Sequence, residues 1–416
     1  MSETAAARTR FALVVTVCIG YVASQFFRSA NAVIAPDLMR DLSISAESMG
    51  IVTGAFFLAF AAVQLPCGVL LDRFGPRRVM SSLLLLAAAG SVVFSLSDAP
   101  PGLAAGRALM GVGCSAGLMG AMVVFARWFP ADRFSTLAAM IFAIGGLGNL
   151  VATTPLAAVS QGIGWRGAFL GMAVVTLAMA ALLGTVLRDA PPGHPALHRK
   201  PESPREILAG LGQVLSNGPL WLIVAIQLIA YPALMTMLAL WAGPYLSDVH
   251  GLGPVERGNV LFAMTVAQLL GTLAYGPLDR VFDTRKWLVL AGGAVTVAIL
   301  AVLALVPGLA LWQAAALLIA MCGVGSYQMV LHTHARAILP EHLVGRGLTL
   351  QNMAAIGGVF LLQSASGFIV GALSDGGAQS ELAYRVVFAF LAGLLAVALL
   401  IYAPIADSRP RQIAAG

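Results

Sequence analysis

Charge is absent from long stretches of this chain, and where it appears it comes in tight bursts. Residues 51–71 hold no charged side chain and residues 79–96 hold none, yet between them sits Asp72-Arg73-Phe74-Gly75-Pro76-Arg77-Arg78. An α-helix needs roughly 20 apolar residues to cross a bilayer, and only elements that satisfy their own backbone polar groups can do so. Repeated runs of that length, joined by short charged turns, restrict the chain to an all-α integral membrane bundle. Composition agrees. The 416 residues are 59% hydrophobic and 10% charged, where a soluble domain carries about 25% charged residues.

On that rule the sequence predicts twelve transmembrane helices, at 11–33, 48–70, 79–97, 102–126, 135–159, 166–187, 219–247, 257–279, 286–306, 310–334, 347–374 and 383–404. Most connections are short. The exception, residues 188–218, holds Pro191, Pro192, Pro195, Pro201 and Pro204 among mixed charges and reads as a linker. It separates an N-terminal six-helix half, residues 1–187, from a C-terminal half, residues 219–416. The first apolar run is as long as a full span, which favours a first helix over a cleaved signal peptide.

Lys and Arg set the orientation, because they accumulate on the cytoplasmic side. With the N-terminus inside, eighteen of the 24 fall in inner segments, four (Arg40, Arg166, Arg257, Arg385) at the outer face, and only Arg28 and Arg107 within spans. Both termini are therefore expected in the cytoplasm of a multi-pass inner-membrane protein. The net charge of +6 is a topology signal, not a nucleic-acid surface. All four cysteines fall in apolar runs, which argues against a disulfide framework. No phosphate-cradling loop, zinc spacing or catalytic constellation is present, so neither an enzyme nor a cofactor is expected.

The halves repeat. Gly111-Val-Gly113 recurs as Gly323-Val-Gly325, and Ala143-Ile-Gly-Gly146 recurs at the same distance as Ala355-Ile-Gly-Gly358. Trp165-Arg166-x-x-Phe169 is echoed by Tyr384-Arg385-x-x-Phe388, and Gly68…Asp72-Arg73 by Gly276-Pro-Leu-Asp279-Arg280. Parallel six-helix repeats about an axis normal to the membrane are an architecture of rocking transporters.

With these residues in view, the chain resembles the major facilitator superfamily over nearly its full length. Gly68-x-x-x-Asp72-Arg73-x-Gly75-x-Arg77-Arg78 is similar to that family's loop between helices 2 and 3. Arg107-x-x-x-Gly111-x-Gly113, followed by Phe129-Pro130, is similar to its second motif. Gly145-Gly-Leu-Gly148 with Pro155 only loosely echoes the third, antiporter-associated motif. The resemblance implies a fold of two pseudo-symmetric six-helix bundles and transport by alternating access. It implies a conformational gate at Gly68, Asp72, Arg73, Gly75 and Arg77, with Arg127 as the partner of Asp72. Gly68 would let helix 2 approach a neighbour closely.

Arg28 interrupts Gln25-Phe-Phe-Arg28-Ser-Ala-Asn31 inside the first span. A charged side chain at a helix centre costs at least about 2.5–3.5 kcal/mol, so it faces a cavity or a partner. Facing a cavity, it would attract a carboxylate or phosphate. The plainer alternative is snorkelling to the outer interface. The resemblance makes spans 1, 4, 7 and 10 central. On them the candidate cavity residues are Gln25, Arg28, Arg107, Gln227, Tyr231, Tyr327, Gln328 and His332, several paired three or four residues apart on one helix face. Interhelical hydrogen bonding would use the same residues. Pro232 and Pro244 are expected to bend or break span 7.

No Asp or Glu lies well inside any span, so a carboxylate proton relay is not visible. A coupling proton would need an end-placed acid such as Asp37, or His332 or His334; counter-ion exchange is the other option. Scattered methionines keep Cu(I) among the alternatives, although Met235 and Met237 point to different helix faces. The leading expectation is a monomeric secondary transporter of a small polar, anionic solute. Drug or metabolite efflux, vitamin import, and a non-transporting sensor or scaffold are the alternatives.

Overall fold

The computed structural model describes residues 3–129, 131–191, 212–340, 344–374 and 380–409. The central part of the expected linker, 192–211, lies outside them. The described residues form helices and no strand. The first half holds α1 (Glu3–Ser29), α2 (Asn31–Leu42), α3 (Ala46–Ala62), α4 (Gln64–Leu96), α5 (Pro100–Cys114), α6 (Gly117–Trp128), α7 (Ala131–Val151) and α8 (Thr154–Val186). The second holds α9 (Gly218–Thr236), α10 (Ala242–Asp248), α11 (Pro254–Val281), α12 (Lys286–Leu305), α13 (Leu311–Val324), α14 (Gln328–Ile338), α15 (Val344–Ala372) and α16 (Glu381–Tyr402).

Ten helical stretches are long and apolar enough to cross a membrane among the described residues, or eleven when α3 and the start of α4 count as one bent span. That bend, 44° between Ala46–Ala62 and Gln64–Leu71, falls where Pro66 lacks the N–H that would reach Ala62. One stretch, Ala143–Val186, is 44 residues long and is interrupted at Gly164 (φ 74°, ψ 163°). It divides there into two helical segments, consistent with the twelve spans expected. Gly75 (φ 79°, ψ 156°) makes the corresponding break in α4. Both glycines occupy a backbone region closed to side chains, and Pro76 follows Gly75 at the first helical position, where its missing N–H is harmless.

The chain forms two compact units, Met1–Asn31 with Ala55–Glu202, and Ala32–Gly54 with Ser203–Gly416. In the first unit, Phe94 packs on Phe169 (4.7 Å) and Trp165 (5.7 Å) between α4 and α8. In the second, α9 lies along α15 and α12 along α16. Their core includes Ile223, Ile226, Val289, Leu331, Leu395 and Tyr402. The Ala32–Gly54 segment joins this unit through Gly50 and Gly54, which rest against the backbone of Gln363 and Phe360 in α15.

The sequence repeats mark shared structural work. The segment of α4 after Gly75 and helix α12 are each tied at both ends by the same kinds of group. At the N-terminal end, Asp189 Oδ1 accepts the Arg77 backbone N–H at 2.7 Å. Asp407 Oδ1 accepts those of Arg285 and Lys286, both at 3.0 Å. A carboxylate on the free N–H groups of a helix N-terminus is a favourable cap. At the far end, Arg166 donates to the carbonyls of Ser95 (2.6 Å) and Ser97 (2.9 Å). Arg385 donates to Ala304 (2.7 Å) and Leu305 (3.2 Å).

The two backbone breaks predict an ordering. Gly75→Ala forces an alanine into a glycine-only conformation, which costs about 1–3 kcal/mol. It also drives a Cβ into the Asp189 carboxylate that caps the next helix. Gly164→Ala carries the same backbone strain but meets no described atom within 4 Å. Thermal unfolding in detergent should therefore show Gly75→Ala losing more stability than Gly164→Ala; equal losses would remove the Asp189 contact from the account.

Candidate functional site

The first unit places both intramembrane arginines on one aromatic pair. The Arg28 guanidinium lies 5.1 Å above the Phe60 ring, and that of Arg107 lies 4.8 Å above Phe56. Phe56 and Phe60, one helical turn apart on α3, stack on each other at 6.1 Å and 26°. The result is a continuous ladder, Arg28–Phe60–Phe56–Arg107. Cation–π contacts of this kind are worth about 0.5–2 kcal/mol each, more when desolvated.

Arg107 is fully buried and donates Nη1–H to the Phe27 carbonyl at 2.6 Å. Helix α1 ends two residues later and restarts as α2 at Asn31. Arg107 thus holds the backbone immediately beside Arg28. Gly111 makes the approach possible: a Cβ there would collide with the Phe56 carbonyl oxygen. Gln25 and Arg28 share the half-buried face of α1. Gln25 packs against Gly145 and Gly148 of α7, and Ser29 donates to Asn149 Oδ1 at 2.9 Å.

The second unit contributes amides instead of charges. Gln227, Tyr327 and Gln328 are buried, while Tyr231 and His332 are half-buried. His332 Nδ1 lies 3.3 Å from the Gln328 carbonyl oxygen, one turn back. The side-chain oxygens of Gln227, Tyr327 and Gln328 have no hydrogen-bond partner among the described residues. Neither do the amides of Gln351 and Gln363, both on α15, which the sequence reading did not single out. Their signal was available as a fully polar amide inside an uncharged span. Such groups can donate to and accept from solute hydroxyls. Pro232 leaves α9 continuous; the break comes instead at a π-helical turn, Met237–Trp241, with Pro244 just beyond. Pro244 has no N–H for the Leu240 carbonyl, and the wider turn accommodates its ring.

The loop Gly68–Arg78 is described in part. A Cβ at Gly68 would meet no described atom within 4 Å. Arg127 donates to the Asp189 carbonyl (3.4 Å), while the Asp72 side chain lies outside the described residues. Arg77 joins Arg127 on the same segment, donating Nε–H to the Gly184 carbonyl at 2.7 Å. Trp128 adds a bond to the Arg188 carbonyl at 3.0 Å. Arg73 is exposed beside the Phe74 ring. Among the described residues no cluster of three or more His, Cys, Asp or Glu is placed to hold a metal ion.

Two ionic contacts in the second unit were missed as sites. Arg257, counted from sequence only as an outer-face charge, is 3% exposed and bonds Asp37 Oδ2 at 2.8 Å and the Val33 carbonyl at 3.1 Å. Replacing Asp37 by Ala leaves that guanidinium buried without its carboxylate, which costs about 3–5 kcal/mol. The double change Asp37→Ala with Arg257→Met should recover most of the thermal stability. A double variant no more stable than the single one would refute this account.

Asp407 is the other. Burial raises its pKa, but hydrogen bonds from the Thr284 hydroxyl (2.6 Å) and from the N–H groups of Lys286 and Arg285 outweigh it and hold the carboxyl below its usual range. The depressed value means that this stabilisation is complete above the unfolded pKa, about 3.9. It is lost as pH falls through the lower folded value. Asp407→Asn should therefore be less stable near neutral pH and lose less further stability below about pH 4. Parallel thermal-unfolding curves of the two proteins across that range would contradict it.

The comparisons with known proteins agree with this geometry. A family model described as Major Facilitator Superfamily matches residues 17–361 and 233–415. The probable sulfoacetate transporter SauU of Cupriavidus necator is 22% identical over 298 residues, 69% of this chain and 69% of its own. The hexuronate transporter of Escherichia coli is 24% identical over 386 residues, 88% of each chain. A solved bacterial homologue of the human lysosomal transporter Spinster, in an inward-facing and unoccupied conformation, has a TM-score of 0.76. It is 16% identical and covers 95% of this chain and 96% of its own, a likeness that speaks to the fold alone.

Proposed function

The chain belongs to the Major Facilitator Superfamily and is a multi-pass membrane transporter of a small solute, not an enzyme; on that premise, we propose that it carries a small organic anion bearing a carboxylate, sulfonate or phosphate. The observation that carries this reading is Arg28. It sits on the half-buried face of α1 beside Gln25, in a half whose six spans contain no Asp or Glu. A guanidinium in a low-dielectric setting binds such oxygens through charge-assisted, often bidentate, hydrogen bonds. The relatives named for sulfoacetate and hexuronate transport support the same class.

In this reading Gln25 and Arg28 engage the anionic end of the solute. Gln227, Tyr231, Gln328 and His332, with Gln351 and Gln363, are the second unit's own candidates for bonding solute hydroxyls. Transport proceeds by alternating access in the bacterial inner membrane, in a monomer with both termini cytoplasmic. Asp72 and Arg73 act as a lock at the cytoplasmic face. Arg77 and Arg127 instead brace the segment that ends at Asp189. Since no Asp or Glu lies well inside any span, coupling runs through counter-ion exchange or through a proton on an end-placed group such as Asp37.

Uptake into proteoliposomes, screened across organic anions with and without imposed pH gradients, tests this reading. Arg28→Gln should weaken binding of the transported anion by about 30-fold or more, as expected for loss of a desolvated charge contact. Thermal stability should stay close to that of the parent. Unchanged affinity in a folded Arg28→Gln protein would remove Arg28 from the site, and transport confined to cations or neutral solutes would overturn the anion reading.

A further inference from the structure

We propose that the second unit holds a binding site for solute hydroxyls, formed by the Gln363 amide and the Thr236 hydroxyl beside the π-helical turn Met237–Trp241. The inference rests on the organic-anion reading and narrows that solute to a hydroxylated acid. Helices α9 and α15 lie along each other, and two contacts fix their register. A Cβ at Gly358 would meet the Leu228 carbonyl oxygen and the Pro232 ring. Further on, Trp241 Nε1–H donates to Ser366 Oγ at 2.7 Å. Thr236 lies between Pro232 and Trp241, and Gln363 lies between Gly358 and Ser366. The packing therefore brings Thr236 and Gln363 to one level of the unit. Both are fully buried, as are Trp241 and Ser366.

A buried hydroxyl in a helix can turn back onto the carbonyl four residues earlier. Thr16 and Thr176 do so at 2.7 Å, Thr265 and Thr296 at 2.8 Å. The Thr236 hydroxyl does not, and it has no partner among the described residues. Gln363 is more open still: neither its Oε1 nor its Nε2 has a partner there. Its backbone is fixed nonetheless. The Gln363 carbonyl accepts the Ser366 hydroxyl at 3.1 Å and lies against Gly50. Trp241 and Ser366 satisfy each other, so of the four residues Gln363 and Thr236 keep side-chain groups open to a ligand. Buried groups left without hydrogen bonds are costly, and an amide beside a hydroxyl offers donors and acceptors together. The group that matches both is a hydroxyl, which donates and accepts at once. Neither element offers a counter-charge at this level: residues 218–247 carry no charge, and α15 carries only Arg346, near its start. The widened turn follows Thr236 directly, and such turns are frequent at functional sites.

The experiment uses the full-length protein in nanodiscs and calorimetric binding of matched pairs, D-gluconate with hexanoate and D-glycerate with propionate. D-glucitol serves as an uncharged polyol. The hydroxylated acid of at least one pair should bind tighter by about tenfold or more, since a site built for a hydroxyl rejects the analogue without it. Gln363→Met and Thr236→Val, which keep shape and remove the polar atoms, should each lower that ratio by about fivefold or more. Without solute, both variants should unfold at no lower a temperature than the parent, because replacing an unpaired buried polar group by an apolar one of similar shape is neutral or stabilising. Stability lost in both variants overturns the site, since it shows partners within the protein; where only one fails to fold, the binding ratio of the other decides. Equal binding of both members by the parent, or an unchanged ratio in a folded variant, also overturns the site and leaves the organic-anion reading intact. D-glucitol binding that weakens in Gln363→Met, with no acid bound, overturns the organic-anion reading and leaves the hydroxyl site standing. Binding of none of these probes overturns both.

Discussion

The apolar interior of a bilayer refuses charge, and nearly every feature of this protein follows from where its charges are allowed to be. Carboxylates sit at helix ends, where they cap N-termini or meet an arginine near water. Most arginines gather at the ends of spans and in the segments that join them. What remains inside is a short inventory of two guanidiniums and a set of neutral amides. Because placing a charge there costs several kcal/mol, each exception demands a partner. Arg107 takes a backbone carbonyl and a phenylalanine face; Arg28 takes the next phenylalanine in the stack.

The same constraint explains why the internal repeat survives in scattered residues. The segment of α4 after Gly75 and helix α12 each need their free N–H groups satisfied at one end and their carbonyls at the other. An acid after the sixth helix of each half serves the first need, Asp189 and Asp407. An arginine at the start of that helix serves the second, Arg166 and Arg385. One element of each half thus clamps another at both ends. The intervening apolar residues are free to change as long as they stay apolar. Around this clamp the copies have diverged: Trp128 donates to the Arg188 carbonyl, whereas His334 lies 3.1 Å from the Ala406 carbonyl and 2.6 Å from the Tyr402 hydroxyl.

Span number and the repeat were legible because they depend on composition over long windows and on residue types fixed by backbone need. Arg28 and Arg107 stood out for the same reason, since any charge in a span is conspicuous. What escaped was whatever depends on distance between remote elements. Arg257 reads as one more outer-face cation until α11 is seen against Asp37. Arg127 donates to the Asp189 carbonyl, a backbone atom that no side-chain pattern advertises. The π-turn at Met237–Trp241 was half legible: Pro244 signals trouble in the helix, but whether the chain answers with a kink or a wider turn is decided by neighbours.

The division of polar chemistry between the two repeats carries the last step. Duplication begins with equal halves, and hydrogen-bond satisfaction at helix ends has kept those ends equal. The interiors have not stayed so. The first half holds charge that is permanent, because an arginine keeps its proton even when buried. The second holds amides and a tyrosine hydroxyl, which bond in either direction without needing a counter-charge. A permanent charge supplies attraction that reaches beyond contact and tolerates variation in shape. Neutral donors and acceptors act only at contact and reject a solute that leaves them unpaired. The polar interiors of the two units therefore differ in kind: permanent charge at Arg28 and Arg107 in the first, neutral donors and acceptors at Gln227, Gln328, Gln351 and Gln363 in the second.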